Sequence, residues 1–226
     1  MKRPSVGVVL AGCGFLDGAE IHEAVFTLYF LDRAGFDVHC FAPSRPQHHV
    51  VNHLTGEPMA ETRNVLVESA RIARGKIAPL DTASMSELSA LVLPGGYGAA
   101  KNLSDLAFRG PDAEVDQDLL RLIGEAVTAH KPILAICISP AVVAAALHKL
   151  GKHAELTIGN DEGTAQAIEK MGSRHTSCAV TDAVVDEANR IISTPAYMLG
   201  PGPKDVAAGI ESAVQTLAHW LIGSAS

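Results

Sequence analysis

The chain has 226 residues, 47% of them hydrophobic, which is ample for a well-covered core and fits one domain over 1–226 better than two. A formal net charge of −7, with lysines and arginines scattered, excludes nucleic acid or an anionic membrane surface as the main partner. Cys13, Cys40, Cys137 and Cys178 lie far apart in no zinc-like spacing, and no apolar run reaches the ~20 residues of a membrane span, so they read as reduced thiols in a soluble, cytoplasmic protein without a metal.

Lys2-Arg3 before "PSVGVVLAGC" has the outline of a lipoprotein signal. Its apolar stretch, Val6 to Ala11, is shorter than the ~7–15 residues of a signal core and is interrupted by Gly7, so it reads as a first strand. Further strands are expected at Val38–Ala42, Leu91–Pro94, Pro132–Cys137 and Leu156–Ile158, all nearly continuous in hydrophobicity, as in a sheet covered on both faces. Helices are expected over Glu20 to Ala34, Glu61 to Ala73, Asp112 to Ala129, Pro140 to Leu150, Gly163 to Met171 and Asp205 to Leu221. Asp112 and Asp205 occupy N-cap positions in this pattern, while Gly35, Gly151 and Gly172 follow helices as C′ glycines do. Ala183–Asp186 and Arg190–Ser193 suggest an edge hairpin, and the polar stretch Arg45 to Glu61 a long loop that shields something. The alternation predicts a doubly wound α/β fold with a mostly parallel sheet and helices on both faces.

Ligands of such sheets bind beyond the carboxyl ends of the strands. The candidates are therefore the loops Gly12 to Gly18 and Gly95-Gly96-Tyr97-Gly98, and the residue Cys137. "AICIS", Ala135 to Ser139, has the small-x-nucleophile-x-small form of a nucleophile elbow, and Pro140 suits the first turn of the helix that follows. A thiol at a helix N-terminus is expected to be exposed and acidified, with the free amide of Ile138 able to hold an oxyanion. Glu20, His22 and Glu23 open the second element, whose Ile21, Val25, Leu28 and Leu31 are expected to face the sheet; one of these carboxylates can serve Cys137 as proton partner. His48, His49 and His53 read as solvated loop histidines rather than metal ligands. The glycine loop matches no dinucleotide or Walker pattern.

"GCGFLDGAEIHEAV", "VLPGGYGAAKNLSDLA" and "AICISPAVVAAAL", with "LTIGNDEGTA" and "ISTPAYML", resemble the ThiJ/PfpI superfamily. Its fold is the flavodoxin-like, class I glutamine-amidotransferase-like one, and the likeness is greatest to the ElbB branch of bacterial glyoxalases named for isoprenoid biosynthesis. The resemblance implies Cys137 as nucleophile, Glu23 as the acid/base glutamate, and Gly95 and Gly96 as backbone donors of an oxyanion site, with Glu20 and His22 as possible accessories. It also implies a homodimer. Many members carry a histidine downstream of the cysteine, where this chain reads Leu156-Thr157-Ile158, so a Cys-His-Glu triad and a glutaminase are not expected. The expectation is a cofactor-independent glyoxalase taking glyoxal or a similar dicarbonyl to the hydroxy acid. The alternatives are a redox sensor with an oxidisable cysteine and a protein deglycase.

Overall fold

The structure, a computed structural model, describes residues 3–223; Lys2 of the basic pair lies outside them. The chain runs β1 (Ser5–Val9), α1 (Ile21–Arg33), β2 (Asp37–Ala42), α2 (Val65–Ile72), β3 (Ile77–Pro79), β4 (Ala90–Leu93), α3 (Tyr97–Lys101) and α4 (Leu106–Arg109). It continues through α5 (Gln117–Thr128), β5 (Ile133–Ile136), α6 (Ser139–Lys149), β6 (Glu155–Leu156), α7 (Glu162–Lys170), β7 (Arg174–His175), β8 (Val184–Asp186), β9 (Ile191–Thr194) and α8 (Pro203–Ile222). Seven strands form one sheet in the order β3-β2-β1-β4-β5-β9-β8, parallel throughout except for the antiparallel edge strand β8. This is the doubly wound α/β architecture the alternation predicts.

Both faces of the sheet are buried, which is why the strands read as continuous apolar runs. The two-residue period then sorts them. Val8, Leu10, Val92, Leu134 and Ile136 join α1 and α8 in one apolar cluster, while Val9, Leu91, Leu93, Ile133 and Ala135 join α5 and α6 in the other. The strand order reverses between β1 and β4, so the crevice at their carboxyl ends is the topological switch point.

Several expectations are corrected. Leu156 belongs not to the main sheet but to a separate parallel pair, β6 with β7, which is too short to be distinguished by hydrophobic pattern. The hairpin is real, but β9 pairs with β5, so only β8 forms the edge. The cap of α5 is Asp116 rather than Asp112, which sits in a single 3-10 turn, and Asp205 lies inside the first turn of a helix entered from Gly202. On α1 the buried side chains are Glu23, Ala24, Thr27, Phe30 and Leu31, whereas Ile21 and Val25 are exposed. Leu31 is buried as expected and Leu28 packs against the core, so the buried face is shared between these apolar residues and the inward Glu23 and Thr27.

The long segment after Arg45 shields the first loop through hydrogen bonds rather than apolar cover. The nearly buried Asp17 accepts from Val51 N at 2.7 Å, and Asn102 Oδ1 accepts from His48 N at 2.9 Å. His53 Nε2 accepts from Leu16 N at 3.3 Å while its Nδ1 bonds Val51 O at 3.0 Å. His48 and His49 pack edge to face, against Phe108.

Asp116 Oδ1 caps α5 by accepting from Asp118 N and Leu119 N at 3.0 and 3.1 Å, and its other oxygen pairs with Arg45 at 2.7 Å. Asp116→Ala should therefore lower stability by about 1 kcal/mol in urea denaturation, with Asp116→Asn restoring most of it.

Candidate functional site

β5 ends at Ile136 and α6 begins at Ser139, leaving Cys137 and Ile138 to make the turn. Cys137 makes it with φ of 63°, a left-handed conformation that costs a non-glycine residue about 1–3 kcal/mol and is typically retained where a site requires it. The turn is held from three sides. Cys137 N donates to Thr194 O at 2.9 Å, Ser139 Oγ donates to Pro94 O at 2.8 Å, and Pro140 occupies the first helical turn without needing an N–H partner. The elbow that the sequence suggests is thus present.

Glu23 reaches the thiol from α1. Its side chain is wholly buried. Oε2 accepts from Gly95 N at 3.0 Å and Oε1 from Tyr197 N at 3.1 Å, and the carboxyl lies beside the Cys137 side chain, both packed against Gly95. The N–H groups of Gly96 and Ile138 are directed at the Cys137 sulfur. Gly95 and Gly96 therefore divide the labour: the first amide holds the carboxyl, the second faces the thiol.

Only glycine fits at either position. A Cβ on Gly95 would lie 2.4 Å from Cys137 Cβ and 2.7 Å from Glu23 Oε2. At Gly96, φ is 94° and a Cβ would lie 2.4 Å from Glu20 N. The two glycine-marked loops meet backbone to backbone, with Gly98 N donating to Gly18 O at 2.8 Å and Glu20 N to Gly95 O at 2.9 Å. Their glycines serve this close approach.

The electrostatics correct one expectation. Cys137 is 7% exposed, not open to solvent, and burial first, then the neighbouring Glu23, pushes its thiol well above the usual range, against the two amides. Burial likewise raises Glu23 to about 8, with Glu20 adding to the rise and the amides of Tyr197 and Gly95 opposing it. Near neutral pH the resting pair is thus a thiol beside a carboxylic acid. The elbow position does not leave Cys137 acidic, because desolvation outweighs the two amides that face it.

The remaining candidates separate. Glu20 caps α1, its Oε2 accepting from Glu23 N at 2.7 Å, and it lines the pocket above the thiol. His22 lines the same pocket and bonds Tyr197 OH through Nδ1 at 2.7 Å. Tyr197 was not singled out from the sequence. It follows β9, and Ala196 before it adopts φ of 44°, a second strained non-glycine that aims the Tyr197 amide at Glu23. The phenol is held protonated by burial and by the carboxylates of Glu20 and Glu23. Its local signal was "TPAYM", a small-residue turn directly after an apolar strand, but nothing local ties it to Cys137.

The pocket encloses about 880 Å³ and is walled by Phe15, Tyr97, Leu106, Ile138 and Met198 among others. His22 is its only histidine among the described residues. At the downstream position Thr157 is buried and its amide donates to Ser193 Oγ, while His175 accepts from Ile158 N at 3.4 Å and is not among the lining residues. No cluster of three or more His, Cys, Asp or Glu able to hold a metal occurs among the described residues.

No protein-family model matches the chain. It is 46% identical over 206 residues to the mitochondrial ES1 protein homolog of Rattus norvegicus, covering 87% of this chain and 76% of that protein. It is 44% identical over 210 residues to the mitochondrial glutamine amidotransferase-like class 1 domain-containing protein 3 of Homo sapiens, covering 88% and 77%. Among solved structures, an isoprenoid biosynthesis protein with an amidotransferase-like domain from Ehrlichia chaffeensis superposes with TM-score 0.90 at 42% identity, covering 96% of this chain and 99% of that one. DJ-1beta of Drosophila melanogaster shares the fold, with TM-score 0.56, 17% identity and coverage of 99% and 92%. The two curated relatives are named as mitochondrial, which overturns the expectation of a cytoplasmic protein. Reduced, widely spaced cysteines report a reducing compartment and cannot distinguish one such compartment from another.

Gly95→Ala is expected to cost about 1–3 kcal/mol through overpacking against Cys137 and Glu23, read as a fall in thermal midpoint. The raised Glu23 carboxyl also has a signed consequence. Because the folded state holds that proton up to about 8 and the unfolded chain releases it near 4.5, the stabilisation is complete below 4.5 and is lost as pH rises through 8. Denaturation midpoints of the wild type should decline between pH 5 and pH 9, and those of Glu23→Gln should decline less.

Proposed function

The chain belongs to the ES1 and class 1 glutamine amidotransferase-like family of the ThiJ/PfpI superfamily, and on that premise we propose that it is a cofactor-independent glyoxalase acting on 2-oxoaldehydes. The observation that carries this reading is the Glu23–Cys137 pair: a thiol that lines the pocket and a carboxyl buried directly behind it, both protonated at rest, with the Gly96 and Ile138 amides facing the sulfur.

Substrate chemistry follows from the pair. With Glu23 ionised, the thiol proton passes to the carboxylate as the sulfur adds to the aldehyde carbon, and the new alkoxide, facing the Gly96 and Ile138 amides, takes that proton back. The product is a hemithioacetal, with Glu23 again a carboxylate. Glu23 then removes the C–H proton of the sulfur-bearing carbon, and the freed electron pair moves into an enediolate as the neighbouring carbonyl becomes an alkoxide. Return of the proton to that second carbon, with the hydroxyl proton of the first carbon passing to the second oxygen, leaves a thioester beside a new alcohol. One carbon has been oxidised and its neighbour reduced, so no external oxidant is involved. Water cleaves the thioester, giving glycolate from glyoxal and restoring the thiol. In this reading Tyr197, which bonds His22 and lines the pocket, holds the second oxygen while its charge develops.

Burial favours this over an oxidation sensor, because sensing by a cysteine relies on an accessible thiolate and the Cys137 thiol is raised and enclosed. A base in contact is what such a thiol requires.

With methylglyoxal as substrate, Cys137→Ala should abolish turnover and Glu23→Gln should reduce kcat/KM by at least about 100-fold, the lower end of general-base effects. The wild-type kcat/KM should rise with pH along an acid limb centred near 8, as Glu23 loses its proton. Full activity of Cys137→Ala sinks the proposal.

A further inference from the structure

The pocket above Cys137 is much larger than the dicarbonyl it is proposed to hold. Glyoxal has four heavy atoms and fills about two or three water volumes, on the order of 60–90 Å³ at about 30 Å³ per water. The cavity encloses about 880 Å³, within the range of sites that bury drug-sized ligands. Its size has a residue-level cause. α4 and α7 face the cavity with small residues, Ala107 and Gly110 at one and Gly163 and Ala167 at the other, where larger side chains would close it.

The lining also has a definite polarity. Phe15, Tyr97, Leu106 and Met198 supply an apolar wall, of which Phe15 and Tyr97 are each about half exposed. The ionisable groups around it are Glu20, Asp161, His22, Tyr197 and Cys137, with no lysine or arginine among the described lining residues. Asp161 caps α7 by accepting from Thr164 N at 2.8 Å, and this bonding holds its carboxyl below the ordinary range, so it is ionised. A carboxylate or phosphate on the substrate would enter beside fixed negative charge, and the Lys101 ammonium over the Tyr97 ring, at 5.1 Å, is already engaged by Leu16 O at 3.0 Å.

Resting on the glyoxalase proposal, we infer that the substrate is a 2-oxoaldehyde carrying an uncharged, apolar tail of several carbons, its dicarbonyl end on Cys137 and its tail against the apolar wall. This excludes 2-oxo acids, sugar phosphates and the dicarboxylate adducts of glutathione as good substrates. Tail burial is worth about 0.8 kcal/mol per methylene, which is about fourfold in kcat/KM.

The test is a homologous series, 2-oxopropanal, 2-oxobutanal, 2-oxopentanal and 2-oxohexanal, in which the carbonyl chemistry stays constant while the tail grows, with 4,5-dioxopentanoate as the anionic counterpart. Expected is a rise in kcat/KM of about threefold to fourfold per added methylene. The anionic member is expected at least about tenfold below 2-oxopentanal. Ala167→Leu should lower the ratio of 2-oxohexanal to 2-oxopropanal turnover, and Asp161→Lys should narrow the deficit of the anionic member. A flat or falling series with Cys137-dependent turnover of 2-oxopropanal intact overturns the tail inference and leaves the glyoxalase proposal standing. Absence of Cys137-dependent turnover across the whole series overturns both.

Discussion

The contact between Glu23 and Cys137 is the constraint on which the rest of the site depends. Two ionisable side chains are removed from water together, and neither can carry charge there without a partner. The fold resolves this by keeping both protonated at rest and by giving each carboxyl oxygen a backbone donor, Gly95 N from the β4 loop and Tyr197 N from the turn after β9. Three segments remote in sequence therefore converge on one carboxyl. Displacing any of them leaves a buried polar group unsatisfied.

This convergence also accounts for the local backbone. The left-handed turns at Cys137 and Ala196 and the glycines at positions 95 and 96 each depart from what the residue or the packing would otherwise favour. The departures lie at the carboxyl ends of β5, β9 and β4, around the crevice where the sheet reverses its winding. Burial makes the thiol a poor spontaneous nucleophile and a protected one. In the proposed reaction its activation falls to Glu23, one base moving a proton from sulfur and then from carbon.

Where local chemistry was sufficient, the sequence was readable. The run Ile133–Ile136 followed by Cys137, Ser139 and Pro140 contains the strand, the small flanks and the helix start that an elbow needs, and the elbow is there. The acidic opening of α1 likewise marked a carboxyl that meets Cys137. Its orientation was readable only in part: of the expected core-facing stripe Leu31 is buried and Leu28 packs against the core, but Ile21 and Val25 are exposed and Glu23 and Thr27 turn inward. β6 and β7, at two residues each, carry no periodic signal at all.

The sequence by itself determined the α/β alternation, the strand-to-helix elbow at Cys137 and the small residues that let two loops touch, because these follow from hydrophobic period, residue size and turn chemistry within a few neighbouring positions. Tertiary structure alone decided that Cys137 is enclosed and its thiol raised rather than acidified, since desolvation depends on what covers the helix terminus, not on the terminus itself. It also decided that Tyr197 donates its amide to Glu23 and that the cavity is wide and largely apolar, with no lysine or arginine among the described lining residues. Those properties arise where segments more than a hundred residues apart meet, and no single stretch of chain contains them.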